Sequence, residues 1–141
     1  MKRIALLAVL VLLASAARAE AQGYVVIVNE ANAATSLTKD EVSKIFLKKT
    51  TKWPAGAAIA PVDLAKSASA REAFSKAVHD RGAAAIESHW QQQIFAGKDV
   101  PPPEKGTDGD VVAFVKSNPG AIGYVSAGAA LGAGVKAVEV K

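Results

Sequence analysis

The sequence predicts an α/β domain with helices packed on a mixed sheet. Short β-branched runs alternate with helical segments, the helices open on capping patterns, and glycine or proline closes them. Residues 23–29 form the first such run, Gly23-Tyr24-Val25-Val26-Ile27-Val28-Asn29. Its unbroken apolar character suits a strand at the centre of a sheet covered on both faces. Thr38-Lys39-Asp40-Glu41 then reads as a capping box, with Val42, Ile45 and Phe46 as one apolar stripe and Leu37 placed as a staple. Pro54 and Gly56 make a turn, and residues 58–62 read as a second strand, with Pro61 near an edge or a strand end.

Ser69-Ala70-Arg71-Glu72 reads as a second capping box, leading a helix that buries Phe74, Ala77 and Val78. Arg81-Gly82 interrupts it. Residues 83–95 resume helical, burying a combination of Ile86, Trp90, Ile94 and Phe95, and Gly97 stops them. Pro101-Pro102-Pro103 is a stiff extended connection. Thr107 or Asp108 caps a last helix through Val111, Val112, Phe114 and Val115, which Asn118-Pro119-Gly120 cannot continue. Residues 121–125 and 135–140 supply two further strands, with a helix or loop over 126–134 between them.

Ahead of this domain stand Lys2 and Arg3, an apolar run over residues 4–13, and small-x-small patterns at Ala17-Arg18-Ala19 and Ala19-Glu20-Ala21. The pattern fits a signal peptide over residues 1–21, cleaved after 19 or 21, with the run far short of the roughly 20 residues a membrane span needs. A soluble periplasmic domain over 22–141 is the expectation, without stable membrane insertion. Losing Lys2, Arg3, Arg18 and Glu20 takes 17 basic and 13 acidic side chains to 14 and 12, and the net charge from +4 to +2. So small a charge gives no reason to expect nucleic acid. Lys48, Lys49 and Lys52, on a helical pattern, face either water or an acidic partner.

The chain has no cysteine, which rules out thiol redox chemistry and thiolate metal sites. His79 and His89 lack zinc-ligand spacing, so neither metal nor cofactor is expected. Ser69 and His79 are ten residues apart on one helix, roughly 15 Å, too far for a nucleophile and its base. A non-enzymatic protein follows. Ser67-Ala68-Ser69-Ala70-Arg71 sits where a turn meets a helix, whose first amides lack internal partners. Two hydroxyls and a guanidinium there suit phosphate, sulfate or a carboxylate, or simply form an ordinary cap. Thr107, with Asp108 and Asp110, offers a second helix start. Asp63 and Asn29, each near a strand end, are further candidate lining residues.

Several motifs together resemble the periplasmic phosphate-binding proteins of ABC transporters. They are Asn29, the run from Leu37 to Val42, Ile45-Phe46-Leu47 and Lys52-Trp53-Pro54-Ala55-Gly56. Arg71-Glu72-Ala73-Phe74, Trp90, Ile94-Phe95-Ala96-Gly97 and Asn118-Pro119-Gly120-Ala121-Ile122-Gly123-Tyr124-Val125 follow in the same order, the last being the most specific. The likeness is greatest to the short, single-domain members. It implies a single lobe of a type II periplasmic-binding-protein fold. The family's Ser-Gly-Thr anion loop falls at Ala68-Ser69-Ala70, so both hydroxyl positions are alanine and the glycine position is Ser69. Binding of phosphate or a similar small oxyanion, with Ser67, Ser69, Arg71, Asn29 and Thr107 as contacts, is one implied function. The alternative is an envelope interaction or accessory domain that has lost the ligand. An ABC permease, another envelope protein, or a second copy rebuilding the cleft are the implied partners.

Overall fold

The computed structural model describes residues 22–141; the segment read as a signal peptide lies outside them. Among the described residues seven strands and four helices follow one another: β1 (Tyr24–Asn29), β2 (Ser36–Leu37), α1 (Lys39–Phe46), β3 (Ala60–Pro61), β4 (Asp63–Leu64), α2 (Ser69–His79), α3 (Ala83–Phe95), β5 (Glu104–Lys105), α4 (Asp108–Ser117), β6 (Ala121–Ser126) and β7 (Val135–Val140). The main sheet has the order β2-β7-β1-β6-β3. β1 lies in its middle, antiparallel to β6 and β7, as its unbroken apolar run requires. The edges are parallel additions: β2 on β7, and β3 on β6. Pro61 sits in the edge strand β3, where a missing amide costs no ladder bond. The sheet is therefore mixed.

The second strand is shorter than the 58–62 expected. Val62 N still bonds Ile122 O at 2.9 Å, but Asp63 then leaves the main sheet. Asp63 and Leu64 form a separate parallel pair with Glu104 and Lys105 beyond the prolines. Ala58 instead bridges Lys52 across the Trp53–Gly56 turn. That turn is tied to the β6 entry by Trp53 Nε1, which donates to Gly120 O at 2.9 Å. Gly120 is required at that contact, since a Cβ there would stand 2.2 Å from the Ala58 carbonyl oxygen.

The core is aromatic on the face of the sheet covered by α1 and α2, while Val111 and Val115 of α4 pack on the other face, over Gly123. Phe74 of α2 stacks on Tyr124 at 3.8 Å between ring centroids, with Tyr24 and Phe46 edge-on to it at 5.5 and 4.9 Å. Edge and offset contacts of this kind add to plain area burial. α1 keeps its capping box, with Thr38 Oγ1 accepting from Glu41 N and Glu41 Oε2 from Thr38 N. Val42, Ile45 and Phe46 are buried as their spacing demands. The lysines that follow do not continue the helix: α1 ends at Phe46, and Lys48 is left-handed at φ 58°.

Two expectations need correction at the helices. Ser69 does not cap α2, because the helix starts one residue earlier than that pattern requires. Ala68 is the N-cap and offers no side-chain acceptor. Glu72, freed from that box, accepts from Ala83 N at 3.0 Å and so closes the start of α3. Ile94 and Phe95 are not in the core either, being 53 % and 97 % exposed, whereas Ile86 and Trp90 are buried. α3 lies on the outside of the domain and turns only one face inward, so its last apolar turn has nothing to pack on. The 126–134 segment is a loop.

Candidate functional site

β4 and β5 run parallel, so the loops leaving their C-terminal ends emerge together. Ala65 N bonds Lys105 O at 2.8 Å, and from this point one chain proceeds to Ser67, Ser69 and α2, the other to Thr107 and α4. Carboxyl ends of parallel strands followed by helix starts are where α/β proteins collect ligands. The topology thus groups Ser67, Ser69, Arg71 and Thr107. It sets Asn29 apart. That side chain donates to the carbonyls of Val115 and Lys116, both at 3.0 Å, and accepts from Ala31 N at 2.9 Å. Asn29 thereby fastens β1 to the far end of α4, about 12 Å along the helix from Thr107.

At α2 itself, Ser67 and Ser69 are exposed and Ala70 is buried. Ala68 N bonds Ala65 O and Arg71 N bonds Ala68 O, leaving the amides of Ser69 and Ala70 as the open ends of the helix. Lys66 pairs with Glu87 of α3 beside them. The partial positive charge of the helix start and the two neighbouring hydroxyls face water at this point. At α4 the situation differs: Thr107 Oγ1 accepts from Asp110 N at 3.1 Å, and Asp108 accepts from Ser126 N at 2.9 Å.

Arg71 points inward rather than to the open amides. Only 5 % exposed, it donates from Nη1 to Leu64 O at 2.7 Å and to Glu104 Oε1 at 3.1 Å, with Asp63 Oδ1 at 3.9 Å. Tyr124 completes the cluster, donating to Asp63 Oδ1 at 2.7 Å while accepting from Leu64 N at 3.3 Å. Burial drives the Asp63 pKa upward, against the pull of Arg71 and the Tyr124 hydrogen bond. Burial alone would lower the Arg71 pKa, but Asp63, Tyr124 and Glu104 outweigh it and the net shift is upward. Tyr124 is also raised, by burial and by Asp63. The cluster is an internal brace joining β4, β5, β6 and α2. Spacing gave no sign of Glu104 or Tyr124 as its members, because they lie 33 and 53 residues beyond Arg71 and meet it only through the β4–β5 pairing and the main sheet.

His79, unassigned by sequence, shares a 2.8 Å hydrogen bond between Nδ1 and Ser43 Oγ of α1. Its pKa is lowered to about 4 by burial and by the positive charges of Arg81 and Arg71. Cationic neighbours disfavour the imidazolium a general base would have to form. Among the described residues no group of three or more His, Cys, Asp or Glu side chains could hold a metal, and no helix is long and apolar enough to cross a membrane.

Residues 18–140 match the PBP superfamily domain family. The chain belongs to that family. Its fold is also that of larger solved proteins. One is an ABC-type phosphate transport receptor from Vibrio cholerae, with a TM-score of 0.65 at 21 % identity, covering 84 % of this chain and 46 % of that one. Another is assigned as a phosphate ABC transporter substrate-binding protein, from Clostridium perfringens, and was solved with bound phosphate. It has a TM-score of 0.66 at 24 % identity, covering 84 % of this chain and 44 % of the other. The third is PstS from Borrelia burgdorferi, with a TM-score of 0.58 at 17 % identity and coverages of 84 % and 47 %. The chain thus spans less than half the length of each. No curated protein sequence matches it. The domain is a single α/β lobe of the type II binding-protein fold, as the motifs from Asn29 to Val125 implied.

Proposed function

We propose that this PBP-superfamily lobe is an exported solute-binding module that takes phosphate or a similar small oxyanion at the start of α2. One observation carries the proposal: no side chain accepts at the start of α2, whereas Thr38, Glu72 and Thr107 accept from first-turn amides of α1, α3 and α4, and the open amides of Ser69 and Ala70 stand beside exposed Ser67 and Ser69. Anions favour such positions because both the amides and the helix dipole attract them. Two of the larger relatives, a phosphate transport receptor and a substrate-binding protein solved with phosphate bound, support the ligand class. In this scheme Ser67 and Ser69 donate from their hydroxyls, Arg71 braces the loop from behind, and Thr107 flanks it. A permease in the membrane is the receiving partner proposed for such a module. One lobe supplies fewer donors than two, in a wetter and more screening setting, so affinity should fall well below that of a closed two-lobed clamp.

Calorimetric titration with phosphate, alongside sulfate and a dicarboxylate, tests this. Ser69→Pro is the informative variant: proline suits the first helical position, yet it removes both the open amide and the hydroxyl. Saturable phosphate binding that Ser69→Pro abolishes without lowering the melting temperature is the expected result. A flat titration of the folded wild-type protein would sink oxyanion capture and leave the interaction-domain alternative, which the exposed Ile94 and Phe95 favour.

A further inference from the structure

Among the described helices, α3 alone keeps its buried side chains out of the main core. Phe46 of α1, Phe74 of α2 and Val111 of α4 all belong to one continuous cluster with the sheet. Ala83, Ile86 and Trp90 of α3 are just as buried, yet none of them joins that cluster. They press instead on α2, the one described element on which α3 packs extensively. α2 itself is held from other sides by α1, β1 and β6. Removing α3 would therefore leave the core closed.

The polar ties of α3 are few. Glu72 of α2 accepts from Ala83 N at 3.0 Å, and Lys66 pairs with Glu87. Lys48 reaches Asp99, just past the helix, at 3.9 Å. Both ion pairs lie at the surface, where such contacts contribute little. Trp90 Nε1 is buried and has no acceptor. A buried donor left unpaired costs stability, and water would pair it once the helix moved away.

The segment also has a joint at each end. Asp80 is left-handed at φ 57°, with Gly82 two residues on, and Gly97 is left-handed at φ 66° beyond the last turn. A few residues of this kind are enough to absorb the backbone change of a hinge. A helix of 13 residues is marginal without packing, so α3 should melt as it leaves α2.

We infer that residues 83–97 are a separately opening unit: α3 detaches from α2 and unfolds while the sheet, α1, α2 and α4 remain folded. Opening bares the Trp90 indole and releases Lys66 and Glu72, both of which flank the start of α2. The unit is a reversible cover on the outer side of α2. It does not depend on that start binding an anion.

Native-state hydrogen exchange reads this residue by residue, on the full chain expressed with its own leader and purified in the form that accumulates. Segments with little buried contact open well below the free energy of global unfolding. After correction for intrinsic rates, the amides of α3 should exchange at least about tenfold faster than the slowest of β1 and β6. Ile86→Ala should speed the α3 amides by a further factor of about 30 or more, or abolish their protection, and leave β1 and β6 unchanged. α3 amides as well protected as those of β1 would overturn the inference. So would an Ile86→Ala effect shared equally by β1 and β6, since that is one cooperative unit, or no effect on α3 at all.

Discussion

Three of the four described helices start against a side chain, and the fourth does not. α1 has the reciprocal Thr38–Glu41 box, α4 has Thr107, and α3 borrows Glu72 from the preceding helix. α2 begins at Ala68, whose methyl accepts nothing. A capping side chain is worth about 1 kcal/mol, so α2 forgoes that stabilisation at the very point where the chain leaves the parallel β4–β5 pair. The difference separates starts that are structurally complete from one whose donors remain available. It also separates the exposed hydroxyls of that start from the buried Arg71 three residues on. Ser69 and Arg71, two residues apart in one motif, thus hold opposite roles, one facing solvent and one bracing the interior.

The largest effect expected from this contrast falls on Arg71. Arg71→Met should destabilise the domain by about 3–5 kcal/mol, because Asp63 is left buried without its cation. Urea denaturation measures it. A variant of unchanged stability that merely binds anion poorly would move Arg71 from the brace to the ligand side of the comparison.

Acid should come next. His79 has its pKa lowered to about 4 from 6.5. The stability it contributes is complete above pH 6.5 and is lost as pH falls through about 4, for at most ~3 kcal/mol. Asp63, with its pKa raised, acts in the opposite sense: its contribution is present at low pH and lost as pH rises through its folded pKa. Melting temperatures between pH 7 and 4 should therefore fall for wild type and fall less for His79→Gln. Equal slopes would remove His79 as the cause.

The caps give the smallest and sharpest contrast. Thr38→Ala and Thr107→Ala should each cost about 1 kcal/mol, whereas Ala68→Ser should add up to about 1 kcal/mol by closing α2. The same Ala68→Ser change should weaken phosphate binding, since the new hydroxyl competes for the open amides. Stability unchanged by Ala68→Ser would mean that α2 is already satisfied.

Much of the fold was legible along the chain because local chemistry dictates it. The β-branched run over 24–28 could only be a covered strand, Thr38 and Glu41 fix the α1 start, and Pro119-Gly120 must end α4. The motifs from Asn29 to Val125 carried the family. Where a residue's role is set by its distant neighbours, local pattern misled. Ser69-Ala70-Arg71-Glu72 has every feature of a capping box, yet Glu72 finds a better use 11 residues later, at an amide that only the turn at Asp80, Arg81 and Gly82 brings within reach. Ile94 and Phe95 carry the apolar character of a core turn, and nothing local states that α3 ends beyond the edge of the core.

The sequence by itself determined the four helices, the three long strands, their order and the single-lobe family, because hydrophobic period, caps and breakers act within a few residues. The two-residue strands β2, β4 and β5 exist only through their distant partners. Only the tertiary structure decided which of the candidate residues face solvent. Parallel pairing of Asp63–Leu64 with Glu104–Lys105 spans some forty residues, and it is this pairing that turns Arg71 into a brace and leaves Ser67 and Ser69 facing solvent beside the open amides of α2.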